Sequence, residues 1–178
     1  MSLNIELLEQ SFEQIKPRAD EFASSFYEHL FTVYPEVKPL FATTDMAKQE
    51  KKLLNALVLV VENLRNPEAL EPVLNALGAR HIGYGATAKY YGPVGEALLM
   101  SFEQYLQQDW TPEVKQAWKN AYRTITALML KGASAESVPK EAQLESKIPA
   151  KQAQSKQESV PEKEPQELPV ELLESSFE

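Results

Sequence analysis

Asn66-Pro67-Glu68-Ala69-Leu70-Glu71-Pro72-Val73-Leu74-Asn75-Ala76-Leu77-Gly78-Ala79-Arg80-His81-Ile82 opens with a helix start and runs into Gly83 and Gly85, a helix stop. Asn66 can cap the first turn, and Pro67 is tolerated there because its missing N–H would have no partner. Glu68 sits where the helix dipole favours an anion. The reading predicts a helix from about 66 to 82. Leu74, Leu77 and His81 then share one face, at seven-residue and four-residue offsets. An imidazole at the end of an apolar stripe is the least ordinary feature of the chain.

Working outward, residues 1–133 predict helix throughout, with no alternating strand pattern. Leu8, Phe12 and Ile15 lie on one helix face. Pro17 opens a second helix carrying Phe22, Phe26, Leu30 and Phe31. Pro35 and Pro39 permit only a short tight helix between them. A long helix is expected from about Asp45 to Leu64, another over roughly 87–107, and a last one from Thr111-Pro112-Glu113 bearing Val114, Trp118, Tyr122, Ile125 and Met129. Seven or eight helices with short joints make a compact all-α domain rather than an up-down bundle.

Composition excludes several function classes. The 178 residues include no cysteine, so disulfides, thiolate metal sites and thiol catalysis are all absent. The net charge of −8 argues against a nucleic-acid partner, which needs a basic face. No apolar run approaches the roughly 20 residues of a membrane span, and Met1–Glu6 lacks the features of a signal peptide. The expectation is a cytoplasmic protein. Two histidines cannot build a closed tetrahedral metal site without several carboxylates.

Beyond about 133 the composition changes. Residues 134–178 hold ten Glu against five Lys, a net charge of −5, together with five Pro and no Gly, Trp or Tyr. Such a segment buries too little apolar surface to offset its ordering entropy. The chain therefore divides into a domain at 1–133, a disordered linker at 134–167 rich in Pro, Glu, Lys and Gln, and a short amphipathic segment at 168–178. That segment repeats the start of the chain. Glu6–Glu13 (ELLEQSFE) recurs as Glu171–Glu178 (ELLESSFE), identical at seven of eight positions. Ile5 becomes Val170, and Leu3 recurs as Leu168. The repeat either opens a second copy of the domain, the favoured reading, or mimics the first helix and competes for its groove.

For His81 the residues leave two readings open. It is a core histidine hydrogen-bonded to a carbonyl, or an axial ligand to haem iron with leucines packed on the macrocycle. The helix from Asp45 puts Gln49, Lys52, Leu53, Ala56 and Leu57 at helical spacing. It is a plain amphipathic helix, or it carries an amide and an apolar group into a pocket. Tyr27 and His29 lie about 200° apart around their helix and cannot face one pocket. With Tyr27 inward, His29 becomes a surface or inter-helix residue and not a second iron ligand.

Phe26-Tyr27-Glu28-His29-Leu30-Phe31 and Tyr34-Pro35-Glu36-Val37-Lys38-Pro39-Leu40-Phe41, followed by Gln49, Arg80-His81, Tyr91-Gly92-Pro93-Val94-Gly95 and Ala117-Trp118, resemble single-domain bacterial haemoglobins and the globin module of flavohaemoglobins. The resemblance covers residues 1 to about 131. It implies a globin fold, seven to eight helices packed three-over-three around haem b. It implies that His81 is the proximal iron ligand, that Phe41 wedges against the haem plane, and that Tyr27 and Gln49 form a distal hydrogen-bonding pair under which Leu53 is the apolar neighbour. Leu77 packs on the macrocycle, Lys52 and Arg80 meet the propionates, and Tyr91 lies near the proximal histidine. The family's proximal glutamate falls on Ala133 here, and a tail of about 45 residues cannot supply a flavin-binding reductase.

The resemblance implies reversible binding of oxygen, nitric oxide and carbon monoxide, with oxygen storage or transport as the leading function and no dedicated catalytic residue. Nitric oxide dioxygenation or peroxidase-like activity with a separate reductase partner is one alternative. A haem-based gas sensor, with self-association through the repeat at 168–178, is another.

Overall fold

A computed structural model of the chain describes residues 3–136. Six α-helices span Ile5–Ile15 (α1), Ala19–Val33 (α2), Met46–Glu62 (α3), Pro67–Gly83 (α4), Tyr91–Leu106 (α5) and Pro112–Glu136 (α6). Tight 3-10 segments join them at Lys16–Arg18, Pro35–Phe41, Ala88–Tyr90 and Gln107–Asp109. With the seven-residue Pro35–Phe41 segment, the six helices make up the lower of the two helix numbers expected. α6 runs to Glu136, three residues past the compositional boundary at 133. The linker beyond it and the repeat at 168–178 lie outside the described residues.

Local chemistry sets the helix ends. Asn4, Asp45 and Asn66 each accept a backbone N–H three residues on, from Leu7, Lys48 and Ala69. Pro35 and Pro39 hold their segment to the tighter 3-10 winding. α4 ends at Gly83, and Gly85 follows with φ +77°, a left-handed conformation that glycine adopts without cost.

The core centres on rings. Phe102 of α5 stacks on Trp118 of α6 at 4.0 Å between centroids and tilts against Phe22 of α2 at 4.9 Å. Phe12 of α1 lies 6.4 Å from Trp118, whose indole N–H donates to Ser11 Oγ at 2.9 Å. All these side chains are buried.

The helices pair selectively. α2 packs on α5 and α3, whereas α4 packs almost entirely on α6. The α4–α6 crossing brings backbone against backbone. A Cβ on Gly78 would sit 1.8 Å from the Met129 carbonyl oxygen, and a Cβ on Gly132 would sit 1.9 Å from that of Asn75. The ion pair Lys131–Glu71 spans the same two helices at 2.6 Å. Both partners are largely exposed, so it adds less than about 1 kcal/mol, and the glycine crossing sets the geometry. α3 and α4 have no extensive contact with each other.

Candidate functional site

One wall of the candidate site comes from α2, the Pro35–Phe41 segment and α3. Tyr27 is buried there within a ring cluster. Its ring lies 4.8 Å from Phe26 and 5.7 Å from Phe41, both edge-on, and 5.8 Å from Phe31. Phe31 and Phe41 meet edge-on at 5.3 Å. The Tyr27 hydroxyl is hydrogen-bonded to the Gln49 side chain. Burial pushes the phenol up to about 12, against a smaller opposing effect of the Gln49 bond. Tyr27 therefore keeps its proton and can donate it at any physiological pH. Gln49 stands in the first turn of α3, and Leu53 follows one turn later, half-buried against the core.

The other wall is α4. His81 is half-buried in its last turns. Its Nδ1 lies 2.8 Å from the Leu77 carbonyl oxygen. A carbonyl only accepts, so Nδ1 carries the hydrogen and Nε2 holds a lone pair. Burial lowers the imidazole's pKa, and the Arg80 charge lowers it further, against the Leu77 bond. The ring is neutral at pH 7. Both readings of His81 left open by the sequence contain part of this arrangement: one nitrogen is satisfied by a carbonyl, and the other keeps the lone pair a metal requires.

The structure thus joins Tyr27, Phe41 and Gln49 into one bonded group and ties His81 to Leu77. Lys52 is half-buried on α3, and Arg80 is exposed beside His81. Tyr91 opens α5. Its carbonyl accepts the Tyr122 hydroxyl at 2.6 Å, which links α5 to α6. Tyr122 crosses Gly95 so closely that a Cβ there would lie 2.4 Å from its ring. The ring recorded beside His81 is Tyr84, edge-on at 6.1 Å. Sequence reasoning passed over both residues. Tyr122 was placed on the last helix without a role, and the Gly83-Tyr84-Gly85 turn was read only for its glycines. His29 bridges two helices, as its spacing from Tyr27 requires, with Nδ1 3.1 Å from Ser101 Oγ on α5.

This donor set suits haem. No cluster of three or more His, Cys, Asp or Glu side chains able to hold a metal ion occurs among the described residues. A metal at His81 must then bring most of its ligands with it, as a porphyrin does. The flanking aromatic and leucine side chains suit a flat apolar disc, and Lys52 and Arg80 suit its two carboxylates.

A family model described as Globin matches residues 24–129. The chain is 34% identical over 106 residues to a flavohaemoprotein of Rhizobium meliloti, covering 58% of this chain and 26% of that protein. It is 30% identical over 126 residues to an uncharacterized globin-like protein of Aquifex aeolicus, covering 71% of this chain and 88% of that one. Among solved structures, a Pseudomonas aeruginosa protein described as structurally highly homologous to a human haemoglobin superposes with a TM-score of 0.65. It is 25% identical, and the match covers 72% of this chain and 97% of that one. The chain spans about a quarter of the length of the flavohaemoprotein it matches. No described helix is long and apolar enough to cross a membrane.

Proposed function

The chain belongs to the globin family, and on that premise we propose that it binds oxygen and other diatomic gases reversibly at a haem held by His81. Haem supplies the iron that binds the gas. The absence of cysteine from the sequence favours haem b, which is held without thioether bonds. The observation that carries the reading is the Nδ1–Leu77 hydrogen bond, because it fixes the tautomer that leaves Nε2 as the ligating atom.

Each wall has its task. His81 Nε2 would ligate the haem iron, and the Leu77 carbonyl holds the imidazole in one orientation. Phe41, Phe31 and Leu53 exclude water. Tyr27 and Gln49 present hydrogen-bond donors to a gas molecule that takes on negative charge, each contributing on the order of 1–3 kcal/mol in a dry pocket. Lys52 and Arg80 would meet the haem carboxylates, and Tyr91 would lie on the His81 side.

Similarity to flavohaemoproteins motivates a second reading, nitric oxide dioxygenation with electrons from a reductase partner. The neutral acceptor on Nδ1 weighs against it. A carbonyl pushes less electron density through the imidazole than a carboxylate would, which suits reversible binding better than oxygen activation.

Absorption spectra of oxidised, reduced and carbon monoxide-treated protein test the core of the proposal. A Soret band that His81→Ala loses and added imidazole restores is expected. An unchanged band in His81→Ala overturns the assignment. Steady-state nitric oxide consumption with an added reductase separates the second reading from the first.

A further inference from the structure

We propose that residues 168–178 carry a second docking face able to take the seat of α1 on the chain's own domain. The structure shows which residues of α1 that seat uses. Leu8, Ser11, Phe12 and Ile15 are buried, and Leu3, Ile5 and Leu7 pack partly against the core. Ser11 Oγ accepts the Trp118 indole N–H, and Glu9 takes a two-pronged hydrogen bond from Arg65 at the foot of α3, with contacts of 2.6 and 2.9 Å.

All of these groups but Ile15 recur in register. Leu168, Leu172, Leu173, Glu174, Ser176 and Phe177 repeat Leu3, Leu7, Leu8, Glu9, Ser11 and Phe12, and Val170 stands for Ile5. The single change between Glu6–Glu13 and its copy is Gln10 to Ser175, and Gln10 is exposed to solvent. The one difference therefore falls on a side chain that the seat does not touch.

Reach is sufficient. The seat includes Trp118, 18 residues back along α6 from Glu136, or about 27 Å at 1.5 Å per residue. The intervening residues 137–167 can extend to roughly 100 Å. Exchange within one chain needs no partner, and the tether keeps the copy at a high effective concentration. α1 holds the seat in the unaltered chain for three reasons, the first being buried Ile15, which has no counterpart among residues 168–178. Its Asn4 caps the helix where the copy has Pro169, and Ile5 fills more volume than Val170. The copy becomes the occupant when α1 is weakened.

Thermal unfolding of four full-length chains tests this: unaltered, Phe12→Ala, Phe177→Ala and the double variant. Phe177→Ala alone should shift the midpoint by less than about 1 °C. In the Phe12→Ala background the same change should lower it by roughly 5 °C more. Additive shifts overturn the proposal. Ser11→Ala, a milder weakening of α1, serves in place of Phe12→Ala should that chain not fold. The chain has no cysteine, so a spin label on Ser175→Cys is unique. It should broaden the Trp118 indole N–H resonance in the weakened chain equally at high and low protein concentration. No broadening, or broadening that vanishes on dilution, also overturns the proposal.

Discussion

The two walls of the candidate site are built by different means. The Tyr27 wall is held by side chains: four rings meet edge-on or tilted, and an amide bonds to a hydroxyl. The His81 wall is held by backbone: α4 lies on α6 at two glycines that admit no Cβ. Side-chain contacts give by rotamer changes, so the first wall can adjust to what it meets. Backbone contacts give far less, so His81 rides on a helix held close against α6. His81 is placed by backbone contact, and Tyr27 and Gln49 by side-chain contact.

Substitution at the glycine crossing should have the largest effect. Gly78→Ala puts a methyl 1.8 Å from the Met129 oxygen and must drive α4 off α6. A loss of more than about 3 kcal/mol in a urea titration is expected, with haem retention falling in parallel. A loss under 1 kcal/mol would break the contrast between the walls.

Phe41→Ala is the matching test of the other wall. Phe41 is half-buried, so the loss should be about 2 kcal/mol, below the range for a fully buried phenylalanine. Haem should dissociate faster, while the Soret band of the loaded protein keeps its position. Tyr27→Phe removes a donor without emptying the cluster. Stopped-flow measurement should show oxygen leaving roughly ten- to a hundred-fold faster, with carbon monoxide release changed far less. An unchanged oxygen rate would remove Tyr27 from the pocket.

Tyr122→Phe removes the hydroxyl that holds the Tyr91 carbonyl, and should cost about 1 kcal/mol. The smallest effect lies in alkaline solution. Tyr27 ionises at about 12 in the folded chain, against 10.0 for the free phenol. Between those values the unfolded chain gives up the proton that the folded chain keeps, so stability falls as pH rises. Tyr27→Phe should flatten part of that fall in urea titrations between pH 10 and 12. Burial raises Tyr122 as well, so the remaining slope should respond to Tyr122→Phe.

Much of this was legible in the chain itself. The Asn66-Pro67 start and the Gly83 stop mark α4 within a residue at either end, because caps and glycines act through local backbone geometry. The 200° separation of Tyr27 and His29 assigned them to different neighbours for the same reason. Other features were hidden. The packing of Gly78 and Gly132 leaves no mark in the sequence, since nothing local reveals that each faces another backbone. Tyr122 and Tyr91 are 31 positions apart, and the hydroxyl-to-carbonyl bond between them leaves no pattern in either helix. For His81 the choice between a satisfied core imidazole and a ligating one could not be made from spacing.

By itself, then, the sequence determined the helices, their ends, the faces they bury and the repeat of α1's docking residues at 168–178. These follow from interactions within a few residues, or from identity of side chains. Tertiary structure alone decided the separation of α3 from α4, the glycine crossing that positions His81, the tautomer of its imidazole and the bond between Tyr27 and Gln49. Those depend on where distant backbones and side chains meet in space, and that follows from packing the whole core at once.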